Sequence, residues 1–176
     1  MQLTNAGFED SAAGSLPTGW TQVDILTARD HAATGTQANG SVMGTATNNV
    51  TVTTLDGGQY LCGGRSSVFY QQVTASAVAG HTYNMTVLMR EGSISAAWAR
   101  LYFTSSPQTS GLTVPVLSDS AVGNITLNSE TWKRYSVAYT APVSGGALYF
   151  NLESFRDVGN TLAAYDDVQG EDCIAN

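Results

Sequence analysis

The chain has 176 residues, 12% of them charged, and its seven Lys and Arg against fourteen Asp and Glu give a net charge of −7. That balance repels a phosphate backbone and excludes nucleic acid as a partner. No apolar run approaches the roughly 20 residues of a membrane helix, so membrane insertion is excluded as well, and the length suits one domain over residues 1–176.

In chain order, Asn5-Ala6-Gly7-Phe8-Glu9-Asp10 and Pro17-Thr18-Gly19-Trp20 set turn residues beside large apolar side chains whose partners must come from later in the sequence. Met1 runs almost at once into this stretch, with no signal peptide between them. Trp20 to Ile25 alternates apolar with polar, the period of a half-buried strand, with Trp20 in the core. Residues 27–39 read as a polar loop before Val42-Met43, and weak strands around Val50–Thr53 and Gln59–Leu61 are punctuated by Asp56-Gly57-Gly58 and Gly63-Gly64. Ser67–Thr74 and Thr82–Arg90 are firmer. In the second of these Tyr83, Met85, Val87 and Met89 share the core face, which puts Arg90 on the opposite, accessible one.

Further on, Trp98, Arg100 and Tyr102 alternate with Ala99, Leu101 and Phe103. Residues 105–119 read as a second polar loop, followed by short strands at 124–127, 132–139 and 147–153. In the last of these Leu148, Phe150 and Leu152 point inward, so Tyr149, Asn151 and Glu153 point out. The closing strand is Ala163–Val168, and pairing it with the opening segment would close a sheet. Ten or eleven strands without a helix predict an all-β, two-sheet antiparallel sandwich.

Two constellations carry chemistry. Glu9 and Asp166 form an oxygen-rich pair suited to a hard cation such as Ca²⁺; Asp166 is preferred to Asp167 because it shares parity with the core residue Val168. The alternative is that Glu9 caps loop amides while both aspartates face solvent. The second constellation is a face carrying Arg90, Trp98, Arg100, Tyr102, Tyr149, Asn151 and Glu153. Aromatic platforms with convergent polar groups suit a glycan, and the two arginines favour uronic or sulfated polymers unless Glu153 pairs with one of them. The same residues also suit an interface with another subunit. Catalytic motifs are absent: no paired carboxylates share a face outside the acidic pair, neither His31 nor His81 sits in a catalytic context, and no nucleophile elbow or phosphate loop occurs, so no enzymatic activity is expected. Cys62 and Cys173 either bridge, closing a loop of over a hundred residues, or remain thiols.

The opening Asn5-Ala6-Gly7-Phe8-Glu9 and Pro17-Thr18-Gly19-Trp20, the closing Asp166-Asp167-Val168, and between them Tyr70–Val73 leading to Gly80–Tyr83, Glu130–Tyr135, and Ala141-Pro142 before Leu148–Phe150 resemble the jelly-roll carbohydrate-binding modules of families four, nine and twenty-two. The resemblance runs over nearly the whole chain and implies a jelly-roll sandwich, glycan binding on a concave sheet, and a structural calcium joining the two ends. In such modules a backbone carbonyl completes the calcium shell, here from Asn39, Gly40 or Ser41. It also implies a secreted or extracellular setting. The same fold occurs in phage tail, fibre and decoration proteins, so other virion subunits are the alternative partners.

Overall fold

The computed structural model describes residues 1, 3–24, 35–38, 40, 42–43, 50–55, 57–63, 67–91, 98–109, 114–119, 125–126, 131–155 and 163–174. Thirteen strands are present among them: β1 (Thr21–Asp24), β2 (Gly35–Ala38), β3 (Val42–Met43), β4 (Val50–Thr51), β5 (Gln59–Gly63), β6 (Ser67–Thr74), β7 (His81–Glu91), β8 (Trp98–Thr104), β9 (Val116–Asp119), β10 (Ile125–Thr126), β11 (Lys133–Thr140), β12 (Leu148–Phe155) and β13 (Ala163–Ile174). The first sheet runs β1-β6-β12-β8-β10, with β9 also pairing β8; the second runs β11-β7-β13-β5-β2; β3 and β4 form a small hairpin. Every pairing is antiparallel. The architecture is the all-β sandwich that the alternating segments predict.

The core follows from that alternation. Phe69 and Val73 of β6, Phe150 and Leu152 of β12, and Ala99, Leu101 and Phe103 of β8 meet Tyr83, Met85, Val87 and Met89 of β7 with Tyr165 and Val168 of β13. Phe8 and Trp20 join the same core, their rings 5.5 Å apart and Trp20 6.5 Å from Phe150. Phe8 has φ 61°. A left-handed backbone costs about 1–2 kcal/mol, which complete burial of a phenyl ring, worth about 1.5–3 kcal/mol, offsets. The turn is therefore kept by the ring it delivers.

Two expectations change, and one alternative is decided. Gly35–Ala38 and Val116–Asp119, read as loop, are strands at sheet margins, β2 on β5 and β9 on β8. Such short edge strands are fixed by their ladder and a few contacts, as Asp119 with Arg100, and need no strong side-chain alternation. The opening segment contains no strand; Val168 N–H donates to Ala6 O at 3.0 Å, and β13 itself lies in mid-sheet between β7 and β5. The cysteines stay free, Cys62 buried and Cys173 exposed. Cys62 is opposite Ala164 of β13, nine residues before Cys173, a separation of about 30 Å along an extended strand. Burial pushes the Cys62 thiol up, out of the range in which it ionises.

Candidate functional site

The register assembles five of the seven proposed groove residues. Across β6, β12 and β8 the outward rows are Val68, Glu153 and Arg100, then Tyr70, Asn151 and Tyr102, then Gln72, Tyr149 and Thr104. Arg100, Tyr102, Tyr149, Asn151 and Glu153 thus share the outer face of the first sheet. Trp98 continues this face in register, opposite Phe155, but its side chain lies outside the described residues.

Sharing a face does not make these residues accessible. Tyr102 and Asn151 are fully buried and Glu153 is 4% exposed, because the segment after β8 folds back over them. Thr104 Oγ1 donates to Ser106 O at 2.8 Å, and Gln108 Nε2 donates to Tyr102 OH at 3.0 Å. Glu153 lies beside Tyr102 on the same face, opposite Arg100. Asn151 Nδ2 donates to Tyr102 O (3.2 Å), Thr104 Oγ1 (3.1 Å) and Tyr149 O (3.2 Å). Burial pushes the Tyr102 phenol up, and the neighbouring Glu153 raises it further. Burial also raises the Glu153 carboxyl, partly opposed by Arg100.

Arg100 lies 4.8 Å above the Tyr102 ring, with Nε 2.6 Å from Asp119 Oδ2 and Nη1 3.8 Å from Glu153 Oε2. Two carboxylates surround it, so the pairing alternative holds and the fork is not free for an anionic sugar. The part of the face left open lies toward β1. There Tyr149 and Tyr70, both half-buried, stand edge to face with centroids 6.1 Å apart, and Tyr149 OH reaches Gln72 Oε1 at 3.4 Å. Sequence reasoning missed Tyr70, although the alternation Val68, Tyr70, Gln72 within Ser67–Thr74 carried the signal. It also missed Gln108 and Asp119, which had been assigned to a loop.

Arg90 does not belong to this set. It is on β7 of the second sheet and only 7% exposed. Its guanidinium lies 5.9 Å from the Trp132 ring, and Trp132 Nε1 donates to Thr53 O at 2.6 Å, which holds the indole as a cover. Val52, Tyr60, Cys62 and Ala164 pack into a small cluster against Trp132. Burial lowers the Arg90 pKa, while Tyr60 nearby opposes that shift. The expectation of two arginines along one groove is overturned because they stand on opposite sheets.

Glu9 and Asp166 border the same cavity. Gly7, Glu9, Gly57, Asp166 and Asp167 line a cavity of ≈ 80 Å³. Glu9 also does what the alternative asked: Oε1 and Oε2 accept from Gly58 N–H at 3.0 and 3.1 Å, and Oε1 from Gln59 N–H at 2.8 Å. Gly57, at φ +63°, makes room for this, since a Cβ there would come within 2.2 Å of Glu9 Oε1. Asp166 is 1% exposed. Its route to the cavity differs from the parity argument: Tyr165 and Val168 both face the core, and a bulge between Asp166 and Gln169, with Asp167 at φ 43°, places Asp166 opposite half-buried Leu88. Asp167 is held by Arg134 and by Gln169 Nε2 at 2.9 and 3.1 Å. Among the described residues no three His, Cys, Asp or Glu side chains gather as a ligand set. A hard cation fits here only through two carboxylates completed by backbone carbonyls. Asn39 and Ser41 lie outside the described residues, and Gly40, whose N–H donates to Val52 O at 2.7 Å, is not in the cavity wall. Gly7 and Gly57 line the cavity, and the Gly57 carbonyl accepts from Thr54 Oγ1 at 3.0 Å.

Two antiparallel sheets make this chain a β-sandwich, a fold it shares with solved carbohydrate-binding modules. Among solved structures the chain is similar to the CBM22-1 xylan-binding domain of Paenibacillus barcinonensis Xyn10C (19% identity, 97% of this chain and 93% of that one, TM-score 0.56) and to TmCBM61 in complex with β-1,4-galactotriose (13%, 96% and 96%, 0.58). It is also similar to the enzymatically active domain of bacteriophage CBA120 tailspike protein 4, at 14% identity over 97% of this chain but 21% of that one, with a TM-score of 0.59. At these identities the likeness is one of fold. No protein-family model and no curated protein sequence matches the chain.

Proposed function

We propose that this chain is a non-catalytic glycan-binding module whose ligand lies across the outer face of the first sheet. The observation that carries the reading is the half-exposed pair Tyr70 and Tyr149 standing beside a buried polar floor of Tyr102, Asn151 and Glu153. A sugar ring offers C–H surface to the tyrosines and hydroxyls to the exposed Gln72 beside them. The carbohydrate-binding modules of the same fold support this reading, and with it a secreted or particle-surface location. The tailspike likeness supports a second setting for the same activity, as one part of a virion adhesin that contacts neighbouring subunits. Affinity electrophoresis through gels containing neutral or acidic polysaccharides is the test. Retardation by at least one polymer is expected, and free migration in all of them would end the reading.

The module also holds a structural calcium through Glu9 and Asp166, joining the opening segment to β13. When bound, the ion supplies a positive charge between carboxylates that share one small cavity. The chain's own part is to fix Glu9 by the Gly58 and Gln59 amides and to bring Asp166 into the cavity wall beside the bulge. Folding alone brings these groups together, so calcium at a hundred times its Kd stabilises the fold by about 2.7 kcal/mol. Thermal melts with calcium and with a chelator measure this. Equal melting temperatures in both, for the wild type and for Asp166→Ala, would remove the ion from the account.

A further inference from the structure

Within Ser105–Thr109 only Gln108 is buried, at 3% exposed, between neighbours that face solvent. A long polar side chain has thus been driven from an exposed segment into the sheet face, and it fits that place poorly. Its Nε2 donates to Tyr102 OH, but its Oε1 is buried without a hydrogen-bond partner. The same is true of Asn151 Oδ1 and Glu153 Oε2 beneath it and of Asp119 Oδ1 at the margin. All four are acceptors. The donors nearby are already engaged: Asn151 Nδ2 with Tyr102 O, Thr104 and Tyr149 O, Gln108 Nε2 with Tyr102 OH, and Arg100 with Asp119 and Glu153.

Buried acceptors without donors carry an unrecovered desolvation penalty, so the pocket lacks donors and Gln108 brings only one end that helps. A carboxamide donates through its nitrogen and can only accept through its oxygen, whereas each hydroxyl of a sugar can do both. A pair of adjacent hydroxyls in place of Gln108 can donate to Asn151 Oδ1 and Glu153 Oε2. A carboxylate or sulfate in the same place would add acceptors to acceptors and charge beside Glu153.

We propose that Gln108 is a tethered stand-in for ligand hydroxyls: it closes a donor-demanding subsite over Tyr102, Asn151 and Glu153, is displaced by a polyhydroxylated sugar unit, and leaves a subsite that rejects anionic groups. This deepens the glycan-binding reading and rests on it. The segment that carries Gln108 is exposed on both sides of it, so withdrawal moves one side chain and leaves the sheet intact.

Titration calorimetry of the wild type, Gln108→Ala and Gln108→Asn against a neutral and a uronic polysaccharide tests it, with melting temperatures to establish that all three proteins are folded. If the closed form dominates the free protein, removing the stand-in lowers the apparent Kd for the neutral polymer by a factor on the order of five to ten. Both variants should bind the neutral polymer more tightly than the wild type does, and neither should gain affinity for the uronic one. A neutral glycan bound equally or more weakly by the variants would overturn the stand-in role and leave the glycan-binding reading in place. A salt-sensitive preference for the uronic polymer would overturn the donor demand. No binding by any of the three proteins would overturn both readings.

Discussion

Arg90 and Arg100 occupy equivalent places by alternation, each pointing away from the core on a central strand of its sheet, yet they end in different chemistry. Arg90 lies under Trp132 against Tyr60, with 7% of its surface left. Arg100 keeps 29% of its side chain in solvent, held between Asp119 and Glu153 on the face that also carries Tyr70 and Tyr149. What separates them is the chain laid over each sheet. On the second sheet Val52 and Trp132 build an apolar cover, whereas on the first sheet the cover is polar and incomplete. A β-strand's period assigns a side chain to a face; its neighbours in space decide whether that face is a surface.

The largest effects should come from testing burial on the two sides of one strand. Leu101→Ala removes a core side chain and should cost about 2–5 kcal/mol. Tyr102→Ala, one residue along and on the other face, should cost a similar amount because Tyr102 is just as buried. Urea unfolding of the two variants compares them directly. A Tyr102→Ala variant as stable as the wild type would mean that the first sheet's outer face is open after all.

Next in size is the aromatic pair. Tyr70→Ala and Tyr149→Ala should each weaken glycan binding about tenfold, the loss of about 1.4 kcal/mol expected for an aromatic contact, with only a small change in melting temperature. Equal affinity in calorimetry would move the ligand elsewhere. Arg90→Lys should cost less than about 1 kcal/mol, the scale of a cation–π contact, and leave glycan affinity unchanged. A marked loss of affinity in that variant would restore Arg90 to the binding face and undo the contrast drawn between the arginines.

The smallest effect is a slope. Because burial raises the Glu153 carboxyl above 4.5, over a window above that value the folded chain holds a proton that the unfolded chain has released. Stability contributed by this group is therefore lost as pH rises. Relative to the wild type, Glu153→Gln should gain melting temperature as pH rises above about 4.5. Parallel pH profiles for the two proteins would place Glu153 in a more polar setting than the one described.

The sandwich and its core were legible because Tyr83, Met85, Val87 and Met89, or Ala99, Leu101 and Phe103, each display the period of two without interruption. The outward parity of Arg100, Tyr102, Asn151 and Glu153 was legible for the same reason. Their burial was not, since it depends on Gln108, a polar residue in a segment with no periodicity. Asp166 is a sharper case. The parity argument led to the right cavity by the wrong path, because a bulge inserts Asp167 and resets the alternation, and nothing in Tyr-Asp-Asp-Val announces it. Glu9 found partners in Gly58 and Gln59, where Asp56-Gly57-Gly58 could be read only as a turn; that a glycine there must admit a carboxylate needs the third dimension.

The mid-sheet position of β13 has a consequence for how the protein is made. β5 and β7 both hydrogen-bond to β13, and it is the last of the thirteen strands to leave the ribosome. Until Ala163 and the residues after it emerge, the nascent chain holds two strands with unpaired edges on either side of a gap and a core lacking Tyr165 and Val168. The joining of β5 to β7 through β13 must therefore await the emergence of these residues, and the long-range β contacts that follow form slowly, with aggregation-prone edges exposed meanwhile. Ribosome-stalled chains ending before Ala163 should be cut readily by protease, and those extending past Ile174 should resist it.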